Sequence, residues 1–171
     1  RHAFIHVTQR LGFDIPAESV AEIYQQFLTM ADAKKEIYDN DVLTLLKNSG
    51  VPSRGNSREL WQLVDYELNV TSGLPAATVK LARGEKEVMI SHSGSGVIDA
   101  LYGAIMEAVG APIELIDYRI NSLSRGKGSL GKVTAQIRCD DQLFSGKAIE
   151  QDVMRASALA LVNAVNKMLL S

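Results

Sequence analysis

Apolar positions in residues 1–48 recur at helical spacing. Phe4, Ile5, Val7 and Leu11 form a short stripe that Gly12 stops. Asp14 and Pro16 then predict the start of a longer helix, with Glu18 in its first turn. Val20, Ile23, Tyr24, Phe27, Leu28 and Ala31 recur three and four apart, the spacing of one helix face. A third short helix is predicted after Asp39-Asn40-Asp41, with Val42, Leu45 and Leu46 apolar. No strand-type alternation occurs in this region. From Asn48 to Arg58 the chain is rich in Gly, Pro, Ser and Asn, which reads as a connection. After Leu60 the period changes to two. Val64, Tyr66, Leu68 and Val70 alternate with Asp65, Glu67 and Asn69, as in a half-buried strand. A turn at Thr71-Ser72-Gly73 leads to strands predicted over Thr78–Arg83 and Glu87–His92. A helix over Val97–Val109 follows Gly94-Ser95-Gly96.

The same order then returns. Strands are predicted over Glu114–Ser124, Lys132–Cys139 and Leu143–Ile149, the second and third joined by Asp140-Asp141. A helix capped by Asp152 spans Val153–Leu169. Leu63-Val64-Asp65-Tyr66 is echoed by Leu115-Ile116-Asp117-Tyr118. Val97, Ala100, Ala104, Ala108 and Val109 align at one offset with Val153, Ala156, Ala160, Ala164 and Val165. We therefore read a duplication. The expected fold class is α+β: a helical subdomain (1–48), a connection (49–59), and a duplicated βββα domain (60–171) with repeats 60–110 and 111–171. A βββα unit covers one sheet face only, so burial against a second unit or a second chain is expected.

The chain has 171 residues, 46% hydrophobic and 22% charged, an ordinary globular composition. Eighteen Lys plus Arg against twenty Asp plus Glu give a net charge of −2, which argues against nucleic-acid binding by counterion release. Double-stranded RNA binding through an α-β-β-β-α order fails on the same ground, since the closing helix begins Gln151-Asp152 without a basic cluster. Cys139 is the single cysteine, so no internal disulfide and no cysteine-based zinc site can form. A reducing, cytoplasmic compartment is expected. No apolar run reaches the roughly 18 residues of a membrane span. Arg1-His2-Ala3-Phe4 carries neither an initiator Met nor a signal peptide and reads as the interior of something longer.

Gly126 to Lys132 contains GxGxxG and nearly spells a P-loop. Both motifs need a helix after the glycines, whereas Val133 to Cys139 reads as strand and Val133 replaces the magnesium-binding hydroxyl. A flexible loop between strands is the better reading. His2 and His6 stand at zinc spacing without a third ligand, and His92 at a strand end reads as structural. No nucleophile–base pair or paired catalytic carboxylates are evident. Gly94-Ser95-Gly96 differs, because it joins a strand to a helix, where backbone N–H groups can meet an anion.

Gly94-Ser95-Gly96-Val97-Ile98-Asp99-Ala100, Leu115-Ile116-Asp117-Tyr118 and Leu130-Gly131-Lys132-Val133-Thr134 together resemble the C-terminal regulatory domain of 2-isopropylmalate synthases and the related citramalate synthases. Trp61-Gln62-Leu63-Val64-Asp65-Tyr66 and Asn163-Ala164-Val165-Asn166 fit the same family. Arg1-His2-Ala3-Phe4 and Ala31-Asp32-Ala33-Lys34-Lys35 resemble its linker subdomain. Ser95 stands where the family usually has an acidic residue or Asn, and Val97 where it has Pro. Glu150-Gln151-Asp152 replaces a Ser/Thr-rich cap.

The resemblance implies a feedback sensor that dimerises and binds an end-product amino acid, leucine, or isoleucine in citramalate synthases. A dimerisation module without ligand binding is the alternative. It also implies a divalent metal in a catalytic barrel that this chain does not include, and no catalytic residue or cofactor here. Read onto this chain, Gly94, Ser95 and Gly96 are expected to bind the effector carboxylate and Asp99 its ammonium. Ile98, Leu115 and Tyr118 would form an apolar wall with Ser122 near it, and Ile149 and Gln151 would approach from the second repeat. The connection Asn48–Arg58 is the expected coupler to the rest of the enzyme.

Overall fold

The computed structural model describes residues 1–53, 60–70, 73–123 and 129–171. Three helices come first: α1 (His2–Arg10), α2 (Val20–Lys34) and α3 (Asp39–Asn48). Gly12 follows α1 with a φ of 91°, the left-handed conformation that favours glycine. The longer helix starts later than the sequence predicts. Ala17–Ser19 forms a tighter 3-10 turn, in which the Ser19 N–H donates to the Pro16 carbonyl at 2.8 Å. At the start of α3 the Tyr38 N–H donates to the Asp41 carboxylate at 3.0 Å, which satisfies one terminal donor. Phe4, Leu11, Phe13, Ile23, Val42, Leu43 and Leu46 make a small core that Val51 and Leu60 complete. Phe13 and Ser53 form an isolated β-bridge, a short extended pairing the helical periodicity did not suggest.

Each repeat is a three-stranded antiparallel sheet followed by a helix, as the α+β duplication predicts. The first holds β1 (Trp61–Asn69), β2 (Ala76–Arg83), β3 (Lys86–Ser93) and α4 (Val97–Val109). The second holds β4 (Glu114–Ser122), β5 (Gly131–Cys139), β6 (Gln142–Glu150) and α5 (Val153–Leu170). The tetrapeptide echo encodes one backbone device twice. The β1–β2 register slips between Leu63 and Asp65, and the β4–β5 register slips between Leu115 and Asp117. At each bulge the Asp carboxylate accepts the next residue's N–H at 2.9 Å: Asp65 from Tyr66, Asp117 from Tyr118. Residues 71–72 of the first predicted turn, 54–59 of the connection and 124–128 of the glycine-rich loop lie outside the described residues.

In each unit the helix covers its second and third strands, and α5 also reaches β1 and α4. The inward residues Ala77, Val79 and Leu81 of β2 and Val133, Ala135 and Ile137 of β5 join Leu101, Ile105, Leu161 and Val165 in one core. Helix and sheet come unusually close at Gly146, where a Cβ would lie 2.1 Å from the Ala160 carbonyl oxygen and 2.2 Å from the Ala164 nitrogen. The first unit solves the same problem on its helix, where Gly103 makes room for the His92 ring. The apolar helix α5 has the 18 residues of a membrane span but serves as the core helix, with Ala156 through Asn166 buried.

Two asparagines on that helix tie the molecule together. Asn163 Oδ1 accepts the Asn40 N–H of α3 at 2.9 Å, while its Nδ2 donates to the Lys147 carbonyl of β6 at 2.7 Å. Asn166 accepts the Trp61 N–H at 2.8 Å and donates to the Trp61 carbonyl at 2.9 Å, so it mimics a β-strand partner at the start of β1. Charge pairs reinforce the junction: Lys34 bridges Asp41 (2.6 Å) and Glu150 (3.0 Å), and Lys132 pairs with Glu36 (2.8 Å). Burial alone would lower the Lys34 pKa, but hydrogen bonding and attraction from Asp41 and Glu150 win and raise it.

Candidate functional site

The Gly94-Ser95-Gly96 corner sits where β3 ends and α4 begins. Its three glycine-loop residues have three different duties. Gly94 is buried and packs directly beneath α4: a Cβ there would lie 2.5 Å from the Ala100 nitrogen and 2.6 Å from Asp99 Oδ2. Its N–H is donated to the Pro75 carbonyl at 3.0 Å. The Ser95 N–H goes to Asp99 Oδ2 at 2.9 Å, and the Ser95 hydroxyl approaches the same oxygen at 3.2 Å. These two amides, expected to hold an effector carboxylate, are therefore already engaged within the chain. Gly96 is the exception. It is the N-cap of α4 with extended backbone (φ −144°), and a Cβ would meet nothing within 4 Å. Neither strain nor packing requires glycine there, so its missing side chain simply leaves the helix start open.

Beyond Gly96, the first-turn amides of Val97, Ile98 and Asp99 have no carbonyl one turn earlier in the helix to bond, and the helix dipole adds positive potential at that end. Asp99 Oδ2 serves Ser95, and the exposed Asp99 carboxylate stands beside the helix start, where a cationic group can approach it. The corner can thus hold a carboxylate at the helix start and an ammonium beside Asp99. The equivalent corner of the second unit is closed. Asp152 accepts the Met154 N–H at 2.9 Å and the Tyr66 hydroxyl, and Glu150 is taken by Lys34. Burial tends to raise the Asp152 pKa, but Tyr66 and the backbone N–H groups of Arg155 and Met154 hold it below the usual carboxylate range.

The other predicted residues divide. Ile98 is half-buried against the core beside the open corner. Tyr118 packs edge-on against Tyr102 of α4 with ring centroids 5.6 Å apart, and its hydroxyl lies 2.8 Å from Ser157 Oγ. Ser157 Oγ donates to the Val153 carbonyl at 2.7 Å, so Tyr118 is the donor to Ser157. Burial raises the Tyr118 pKa, so the phenol keeps that proton. Leu115 and Ser122 cannot share one small ligand. They pair with Ile137 and Gly131 at opposite ends of β4, about 23 Å apart at 3.3 Å per residue. Ile149 is 1% exposed, beside Lys132, which Glu36 holds, so it presents no surface in this conformation. Gln151 is exposed but belongs to the closed corner. The sequence reading passed over Tyr102, Ser157 and Asn40 as contacts, and took Asn163 and Asn166 only as family landmarks. Asn163 and Asn166 on the apolar, buried stretch of α5 were the available signal, because buried amides need partners.

The LeuA allosteric (dimerisation) domain family matches residues 36–169, from the α2–α3 connection to the last turn of α5. The chain belongs to this family. It is also 40% identical over 171 residues to a 2-isopropylmalate synthase of Geobacillus sp. (strain Y412MC10), covering 99% of the chain and 33% of that protein. The 2-isopropylmalate synthase of Brevibacillus brevis is 36% identical with the same coverage. That of Clostridium kluyveri is 34% identical, covering 98% of the chain and 32% of the relative. The chain therefore spans about a third of the length of the curated relatives it matches. A LeuA allosteric domain is a regulatory module, and the region matched includes both βββα units and α3. Among the described residues no group of three or more His, Cys, Asp or Glu is placed to hold a metal ion.

Proposed function

We infer that this chain senses leucine for a 2-isopropylmalate synthase and joins its subunits as a homodimer. The parent enzyme, on this reading, condenses acetyl-CoA with 2-oxoisovalerate in the cytoplasm on a metal-bearing barrel outside this chain, and leucine inhibits it. The observation that carries the reading is Gly96, an N-cap glycine whose missing side chain leaves a helix start open beside the exposed Asp99 carboxylate in a LeuA allosteric domain. The effector carboxylate sits at the first-turn amides of α4, its ammonium at the Asp99 carboxylate, and its side chain against Ile98. A second chain closes the open side of the corner.

Isothermal calorimetry with leucine and isoleucine tests this. Leucine should bind, and Gly96→Val, whose side chain enters the open corner without disturbing the fold, should weaken binding at least tenfold. Tighter binding of isoleucine would assign the citramalate-synthase type of sensor. The engaged Gly94 and Ser95 amides favour one competing reading, a dimerisation module that has lost its ligand. Absence of binding by either amino acid at millimolar concentration, with a dimer intact in sedimentation, would establish that module and overturn the sensor.

A further inference from the structure

We propose that α5 couples the effector corner to the helical subdomain, with Asn163 as the positioning residue that passes the coupling to α3. The proposal rests on the sensor reading for its ligand but on separate contacts for its route. One end of the route is the helix pair. Tyr102, six residues past Gly96 on α4, donates its hydroxyl to the Ser157 carbonyl of α5 at 2.8 Å, and both Tyr102 and Ser157 are buried. Tyr118 of β4 donates to the hydroxyl of the same serine. A displacement of α4 at its ligand-binding start therefore reaches α5 at Ser157 through one buried and one part-buried hydrogen bond.

The other end lies six residues further along α5, about 9 Å at 1.5 Å per residue. There Asn163 accepts the Asn40 N–H, and the Leu159 carbonyl accepts Asn40 Nδ2 at 3.3 Å. Asn163 is 2% exposed and Asn40 is 3% exposed. Sliding α3 across α5 would orphan these buried groups, so α3 follows α5 rather than slipping. Because Asn163 also donates to Lys147 of β6, it fixes α3, α5 and the second sheet in one relation. This direct contact is a second route beside the connection expected from sequence, residues 54–59 of which lie outside the described residues. A coupling route requires contiguous packed or hydrogen-bonded elements, and this one consists of two helices joined at one serine and one asparagine.

Hydrogen exchange of α3 amides Val42–Leu46, taken relative to the slowest core amides that report global opening, tests the route. Without ligand, Tyr102→Phe keeps the ring and removes only the hydroxyl, whose partner is the Ser157 carbonyl of α5. It should change relative α3 exchange at least threefold, and Asn163→Ser should abolish that sensitivity. Unchanged α3 exchange in Tyr102→Phe would overturn the proposal whether or not leucine binds. With saturating leucine, wild-type α3 exchange should shift. In Tyr102→Phe and Asn163→Ser, leucine affinity should stay within threefold while the α3 response disappears. Leucine binding with an undiminished α3 response in both variants would also overturn it. Failure of leucine to bind at all would overturn the sensor reading instead.

Discussion

Asn166 replaces a strand at the start of β1, and removing its amide should unfasten the first sheet. Asn166→Ala deletes the acceptor of the Trp61 N–H and the donor to the Trp61 carbonyl, at 2.8 and 2.9 Å. Asn166 is fully buried and Trp61 is 4% exposed, so water does not readily replace either bond. Each orphaned buried group costs about 1–3 kcal/mol, which gives about 2–6 kcal/mol for the pair. Against a typical domain stability of about 5–15 kcal/mol this is a large share. In a chain of this length it corresponds to a fall in Tm of roughly 5–20 °C. Guanidinium unfolding followed by circular dichroism measures the loss. The fluorescence of Trp61, the only tryptophan, reports the site itself. The exposed Asn121→Ala serves as the reference, expected within about 0.5 kcal/mol of wild type. A loss below about 1 kcal/mol for Asn166→Ala at unchanged m-value would refute the reasoning, because two buried backbone groups would then have been left unpaired at almost no cost.

Gly146→Ala should destabilise by about 3 kcal/mol or more, since its Cβ would strike α5 backbone on both sides, whereas Gly96→Ala should cost no more than about 1 kcal/mol, the loss of a favoured N-cap residue; thermal melts of the two variants compare them directly. Tyr66 gives a pH test. Burial, and then the Asp152 carboxylate beside it, raise its pKa from 10.0 to about 12. A raised phenol pKa means stability fully present below pH 10 and lost as the pH climbs through about 12. Urea midpoints of wild type should therefore fall more steeply across that window than those of Tyr66→Phe, and parallel curves would count against the Tyr66–Asp152 contact. The depressed Asp152 pKa acts at the other extreme. Its contribution is present above the ordinary value of 3.8 and is lost as the pH drops through the lower folded value, so Asp152→Asn should flatten the acid limb.

Much of this fold was legible because its signals are local and repeated. The change from helical spacing to alternation after Leu60 marked the strands, and Leu63-Val64-Asp65-Tyr66 with its echo marked the duplication; the bulge that each Asp holds with its own side chain appeared only in the structure. The start of α2 was misplaced because Pro16 and Glu18 suit a 3-10 turn as well as a first α-turn. The site was legible only in part. The sequence pointed to the β3–α4 corner but could not divide its labour, since Gly94 and Gly96 are the same residue type. Only their distances to α4 show that one packs and the other leaves space. Ser122 was expected near the apolar wall that includes Leu115, but the rise of β4 separates the two within one chain. The pairings of Asn40 with Asn163 and Trp61 with Asn166 link residues 123 and 105 positions apart, a separation at which periodicity carries no information.

Those two separations also set a timetable for folding. The first sheet leaves the ribosome with Trp61 lacking the Asn166 amide, and α3 emerges with the Asn40 N–H waiting for Asn163. Both are completed only when α5 arrives, more than a hundred residues later. The closing helix thus acts as a keystone. A chain interrupted before Asn163 lacks both bonds and the cover of the second sheet, and should be more protease-sensitive than the whole.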